Sequence, residues 1–268
     1  MVLKSDSWHI LADLLHVSTP DAYASDFERI KNVAEKLPAE HSYLWLGELG
    51  VLFNQYKEEH GESVAELHAR QLLLDFLPDS AWRPRCRVPP SVLEQLSKER
   101  ERIEKEVFEK SPGHYSPSAD GFYKDFSLLR GKALPIFTGI VDTHTALWRR
   151  PLLVGSLSQR INFLRFLMKP PVGTRYFLTH HTHTSLLANF NPEGWRKTYK
   201  LVADILELNA DHKGFAGASW FYDPQLEDVS PRLTYLAKEP LDAGAFRFFV
   251  EKDLTGSALA TSVTRKAL

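Results

Sequence analysis

Residues 174–209 read TRYFLTHHTHTSLLANFNPEGWRKTYKLVADILELN, and residues 214–222, shortly after, read GFAGASWFY. The stretch opens with the aromatic and β-branched residues of a strand, TRYFLTH (174–180). From Asn191 the pattern becomes helical. Asn191 serves as cap and Pro192 takes the first helical position, with Trp195, Tyr199, Val202 and Leu206 on one face. GFAGASWFY then returns to strand composition. A strand, a helix and a second strand in succession point to an α/β sheet.

Working outward, PIFTGIV (135–141) and AFRFFVE (245–251) also read as strands. SLSQRINFLRFLM (156–168), SPRLTYLAK (230–238) and GSALATSVTRKAL (256–268) carry helical patterns. The expected fold class is therefore mixed α/β. Residues 132–268 form a sheet domain of about four strands alternating with helices, and residues 1–131 form a mostly helical region.

In that first half, SDFERIKNVAEKL (25–37) begins with cap-forming Ser25 and Asp26 and spaces Phe27, Ile30, Val33 and Leu37 helically. HSYLWLGELGVLFNQYKEEHG (41–61) and SVAELHARQLLLDFL (63–77) follow. PPSVLEQLSKERERIEKEVFEKSPG (89–113) is the clearest helix, capped by Ser91. Its narrow stripe of Val92, Leu96, Ile103 and Val107 lies among opposite charges at i,i+4, a solvated surface helix needing no functional reading. SPGHYSPSADG (111–121) is a loop or linker, and FYKDFSLLRGKALP (122–135) a short helix closing near Gly131.

Composition excludes several classes. The chain has 268 residues, 43% hydrophobic and 25% charged, with a net charge of −1, which is the profile of a globular protein. No segment concentrates Lys and Arg among aromatics, so no nucleic-acid partner is expected. No run approaches the ~20 apolar residues of a membrane span, and the N-terminus lacks an apolar signal region, so a cytoplasmic protein without a membrane partner is expected. The single cysteine, Cys86, permits neither an intramolecular disulfide nor a thiolate metal cluster. Its neighbouring arginines are able to lower its pKa, but a plain loop thiol is the favoured reading.

Chemistry concentrates at THHTHT (179–184). Alternation along a strand puts His181 and His183 on one face and His180 on the other. The strand before it ends in DTHT (142–145), placing Asp142 and His144 at i,i+2, and the third strand delivers Tyr222 and Asp223 before Pro224. If these strands run parallel, all their polar ends share one sheet edge, where open α/β sheets build sites. The expected metal ligands are His181, His183, His144 and Asp142, holding one divalent ion, iron or zinc. His180, Asp223 and Glu193 are the expected catalytic side chains, and the helix opening at Asn191 favours an anionic small-molecule substrate.

Three functions follow. The first is a metal-dependent enzyme, oxidative or hydrolytic, in which the ion polarises the substrate or activates water or dioxygen. The second is a metal-independent transferase with a histidine general base. GFAGASWFYDP, SPRLTYLAK, AFRFFVEKD and SALATSVTRKAL give a strand–helix–strand–helix order over residues 214–268. That order resembles the acyl-CoA N-acyltransferase superfamily, although QLEDVS (225–230) stands where its glycine-rich pyrophosphate loop belongs. The third is a binding protein whose histidines sense pH or ligand. In the N-terminal half, Glu58, Glu59, His60, Glu62, Glu66 and His68 suggest a di-iron site, but Glu66 and His68 lie on different helix faces, so the stretch reads as a solvated helix and turn.

Overall fold

The computed structural model describes residues 4–38, 46–78, 82–147, 149–169 and 175–249. It mixes helix and sheet, with helices filling the N-terminal half and the sheet in the C-terminal half.

Helices α1 (Lys4–Leu14), α2 (Ala24–Lys36), α3 (Glu48–His60) and α4 (Glu62–Phe76) enclose one core with α5 (Pro90–Glu109) and α6 (Asp120–Leu129). Ser25 and Asp26 lie inside the first turn of α2, and Tyr23 occupies its cap position. Ser91 likewise falls inside α5, where Pro89 and Pro90 already fix the entry. The α5 stripe of Val92, Leu96, Ile103 and Val107 is buried as its spacing requires.

The sheet has four described strands in the order of the chain: β1 (Ala133–Ile136), β2 (Gly139–Ala146), β3 (Arg175–Thr182) and β4 (Gly214–Gly217). PIFTGIV is not one strand but two, folded at Phe137–Thr138 into a hairpin. Gly139 is needed there, because a Cβ would lie 2.3 Å from the His181 carbonyl oxygen. β2 pairs antiparallel with β3, Gly139 facing Thr182 and Ala146 facing Arg175. Between these two strands runs α7 (Leu157–Met168), capped by Ser156. Only β3 and β4 are parallel, joined through α8 (Pro192–Leu208), which Asn191 caps by accepting from Gly194 N–H at 2.9 Å.

Residues 220–222 form a short 3₁₀ turn rather than more strand, and α9 (Leu226–Val229) and α10 (Tyr235–Asp242) follow. Residues 245–249 form no strand. Residues 250 and 251 of that expected strand, and the expected helix at 256–268, lie outside the described residues, as do 41–45.

One sheet face packs on α8 through Leu134, Val141 and Leu178, with Val92 of α5 in the same core. Leu128 of α6 packs against Ala133 and Ile140. The sheet therefore sits between α6 and α8, and each face of β3 looks at a different helix.

Candidate functional site

The antiparallel β2–β3 pairing separates the residues expected to share a metal. Asp142 faces Thr179 in the middle of the ladder, and the β2 backbone carries His144 toward the Ala146–Arg175 end. His181 and His183 lie at the opposite end, beside Gly139. The composite His/Asp site was expected from parallel strands, whereas β2 and β3 run antiparallel. Among the described residues no three His, Cys, Asp or Glu side chains are placed to hold an ion. Asp142 is fully buried near Lys132, whose amine burial pushes down to about 8 against the attraction of Asp142.

His183 has a structural setting. Its Nε2–H donates to Asp125 of α6 at 3.1 Å, while its Nδ1 accepts from the Ser185 hydroxyl at 2.6 Å and from the Ser185 N–H at 3.2 Å. Asp125 also accepts from Arg102 of α5 and from the Tyr115 hydroxyl at 2.8 Å. Burial opposes the Asp125 charge, yet His183 and Arg102 hold its carboxyl well below the usual carboxylate range. Arg102 also contacts Glu99 and Glu106, so the α5 charge run is partly an interior ion network rather than a wholly solvated face.

A second such network corrects the reading of α4. Glu66 and Arg70 pair at 2.7 Å, both essentially inaccessible. Arg70 donates to the Ser111 carbonyl at 2.9 Å, and Glu66 accepts from Tyr115 N–H at 3.1 Å. His68 is buried as well, bonded to the Val64 carbonyl at 2.7 Å. The Glu66–Arg70 pair fastens the 111–115 turn, and its i,i+4 spacing was the available signal.

His180 and His181 line a cleft. β3 and β4 pair in parallel only as far as His180 and Gly217. Beyond that point Thr182 pairs with Gly139 on the other side, and the chain after β4 turns away into residues 220–222. A cavity of about 170 Å³ opens between the two ends, lined by Lys124, His180, His181, Thr182, Ala218, Ser219, Phe221 and Tyr222. It stands at the carboxyl ends of the parallel pair, the usual position for a ligand in such sheets.

The groups around this cleft are held neutral, apart from one cation. His180 packs on Trp195 of α8, ring centres 4.7 Å apart, with Nε2 at 3.4 Å from the Thr138 hydroxyl. Burial pushes His180 down to about 3, helped by His181. Burial and the Lys124 ammonium push His181 down to about 4. Burial also raises the Tyr222 phenol well above its ordinary value, so it keeps its proton. The Tyr222 hydroxyl lies close to β4, where a Cβ on Gly217 would approach it to 3.0 Å. Lys124 donates to the Thr182 carbonyl at 2.6 Å and to Asp120, which ties α6 to the end of β3. Within one small space the chain thus sets an unprotonated imidazole, a protonated phenol and an ammonium.

The other expected residues stand apart. Asp223 is exposed and accepts from Gln225 N–H at 2.9 Å, an Asx turn. Glu193 is exposed and paired with Lys197 at 2.7 Å, on the rim of a separate hollow of about 340 Å³. Cys86 is pushed up to about 11 by burial, against any lowering by nearby arginines. Sequence reading missed Lys124, and it placed Tyr222 at a strand end without giving it a role.

No known protein family, curated protein or solved structure matches this chain.

Proposed function

We propose that this chain is a cytoplasmic, metal-independent acyl-group transferase working in the β3–β4 cleft. The observation that carries the reading is the parting of two parallel strands over a cavity that holds neutral His181 and neutral Tyr222 together. Diverging strands offer backbone to an extended, amide-bearing donor arm, by the logic of strand addition. His181 accepts the proton of an attacking amine, and Tyr222 donates a hydrogen bond to the departing thiolate while keeping its own proton. A C–N bond forms, the C–S bond of a thioester breaks, and the proton taken by His181 passes through solvent to the thiolate. Lys124 stabilises negative charge developing on the carbonyl oxygen. General acid and general base each contribute about 10²–10⁴-fold in such steps.

The arrangement supports this reading over the metal-dependent one, because transfer needs only the residues the cleft brings together. The test is thiol release from short and medium acyl-CoA thioesters with a panel of small amines. Amine-dependent release that His181→Gln lowers by about 10²-fold or more supports the proposal. No release with any pair, from a chain folded by circular dichroism, refutes it.

A further inference from the structure

The segment linking β2 to β3 carries a second surface, unrelated to the cleft and at the other end of the sheet. Between Asp142 and Glu193 the sequence contains no Asp or Glu but six Lys and Arg residues, in a chain whose net charge is −1. Arg149, Arg150, Arg160, Arg165 and Lys169 are all exposed.

α7 in this segment is apolar on two sides. Phe163 and Phe166 face inward, packed on Phe248 and Phe246 at 4.9 and 5.0 Å between ring centres. Leu157, Ile161, Leu164 and Met168 face outward. At about 100° per residue these four fall within about 60° of one another, on the side away from Phe163. Leu157 is 73% exposed and Met168 77%, and Leu153 just before the helix is 76% exposed. Arg160 and Arg165 flank this stripe, one on each side, with stems long enough to lie along apolar surface while their heads stay in water. Scattered exposed leucines need no explanation, but an aligned row does.

We infer that the outward face of α7 is a docking surface for an anionic lipid bilayer. An aliphatic row between guanidinium groups is the pattern of a helix lying in the membrane interface. No described helix is long and apolar enough to cross a membrane, and interfacial binding requires none. The charge argues against the other occupants. A two-fold contact with a second copy would bring Arg160 and Arg165 against their own equivalents. Nucleic acid would match the charge but leave the leucines without base-stacking partners.

The test is cosedimentation of the full chain with phosphatidylcholine vesicles, with and without phosphatidylglycerol, at low and high salt. The expected result is binding to the anionic vesicles alone, weakened by salt. Leu157→Asp with Leu164→Asp reduces partitioning by at least about tenfold, and Arg160→Glu with Arg165→Glu by about tenfold or more. All four positions are exposed, so unchanged circular dichroism is the expected control. Failure of the unmodified chain to bind anionic vesicles at low salt overturns the inference. So does equal binding to neutral vesicles, or retention on polyglutamate without vesicle binding, which assigns the face to an acidic protein. A dimer dissociated by the leucine variants, without vesicle binding, assigns it to a second copy.

Discussion

Two buried polar clusters meet near the end of β3, and they handle charge in opposite ways. In the helical half, Asp125, Arg102, His183 and Tyr115 satisfy one another across α5, α6 and β3, as Glu66 and Arg70 do across α4 and the 111–115 turn. In the cleft, burial lowers the His180 and His181 imidazoles and raises the Tyr222 phenol, so all three stay neutral beside the Lys124 amine, which bonds to Thr182 and Asp120. The difference separates structure from chemistry. A carboxylate enclosed by partners cannot exchange them for substrate without losing stability. Neutral groups around an open cavity hold protons, or places for protons, that a substrate can use.

The largest effect expected from this contrast is on folding. Asp125→Ala leaves Arg102 and His183 buried without their shared carboxylate and should cost about 3–5 kcal/mol. Urea unfolding measures it, and a loss below about 1 kcal/mol would mean that the network contributes little. His183→Ala belongs with this class. Its loss of function, if any, should follow its loss of fold, because the imidazole is enclosed between Asp125 and Ser185.

Gly139→Ala comes next. Its methyl would meet the His181 carbonyl, so the hairpin or β3 must shift, at about 1–3 kcal/mol. The same urea assay reads it.

Tyr222→Phe tests the other side of the comparison. The substitution removes one hydroxyl and keeps the ring, so stability should change by no more than about 0.5 kcal/mol while thioester turnover falls about 10²-fold or more. A large loss of stability with unchanged turnover would place Tyr222 in the core, as its aromatic surroundings first suggest.

The pH dependence has two parts. His181 has a folded pKa near 4 against an ordinary 6.5, so the unfolded chain binds more protons between those values. Its contribution to stability is present above pH 6.5, is lost progressively as pH falls toward 4 and is constant below. The acid limb of kcat/KM should likewise fall near pH 4 rather than near 6.5. A limb near 6.5 would show a solvated base elsewhere. The smallest effects belong to Glu193→Gln and Asp223→Asn, both exposed, which should stay within about 0.5 kcal/mol and leave turnover unchanged.

Much of this fold is legible along the chain. Asn191, Pro192 and the apolar face from Trp195 mark α8, and the narrow stripe from Val92 marks α5, because caps and 3.6-residue periodicity are local. The i,i+2 spacing of His181 and His183 also fixes their common face, which looks toward α6. What stayed hidden is non-local. Nothing near Thr138 distinguishes a hairpin turn from a strand interior, so the direction of β2 against β3 was not readable, and Asp142 lies in the middle of the ladder rather than at the strand end expected for it. His183 and Asp125 lie 58 residues apart, and no spacing rule joins them. Burial at Glu66 and Arg102 was likewise invisible, since an i,i+4 ion pair reads the same inside a protein as on its surface.

The central claim is that the space between the parted ends of β3 and β4 receives the donor. Ala218 lines that space and is exposed, so Ala218→Trp fills it without entering either core. Calorimetric titration of an acyl-CoA thioester into the unmodified chain and into this variant tests the claim most directly. The account predicts saturable binding to the unmodified chain, no detectable binding to Ala218→Trp, and thermal midpoints that agree. Equal binding by both, or no binding by the unmodified chain, would contradict it.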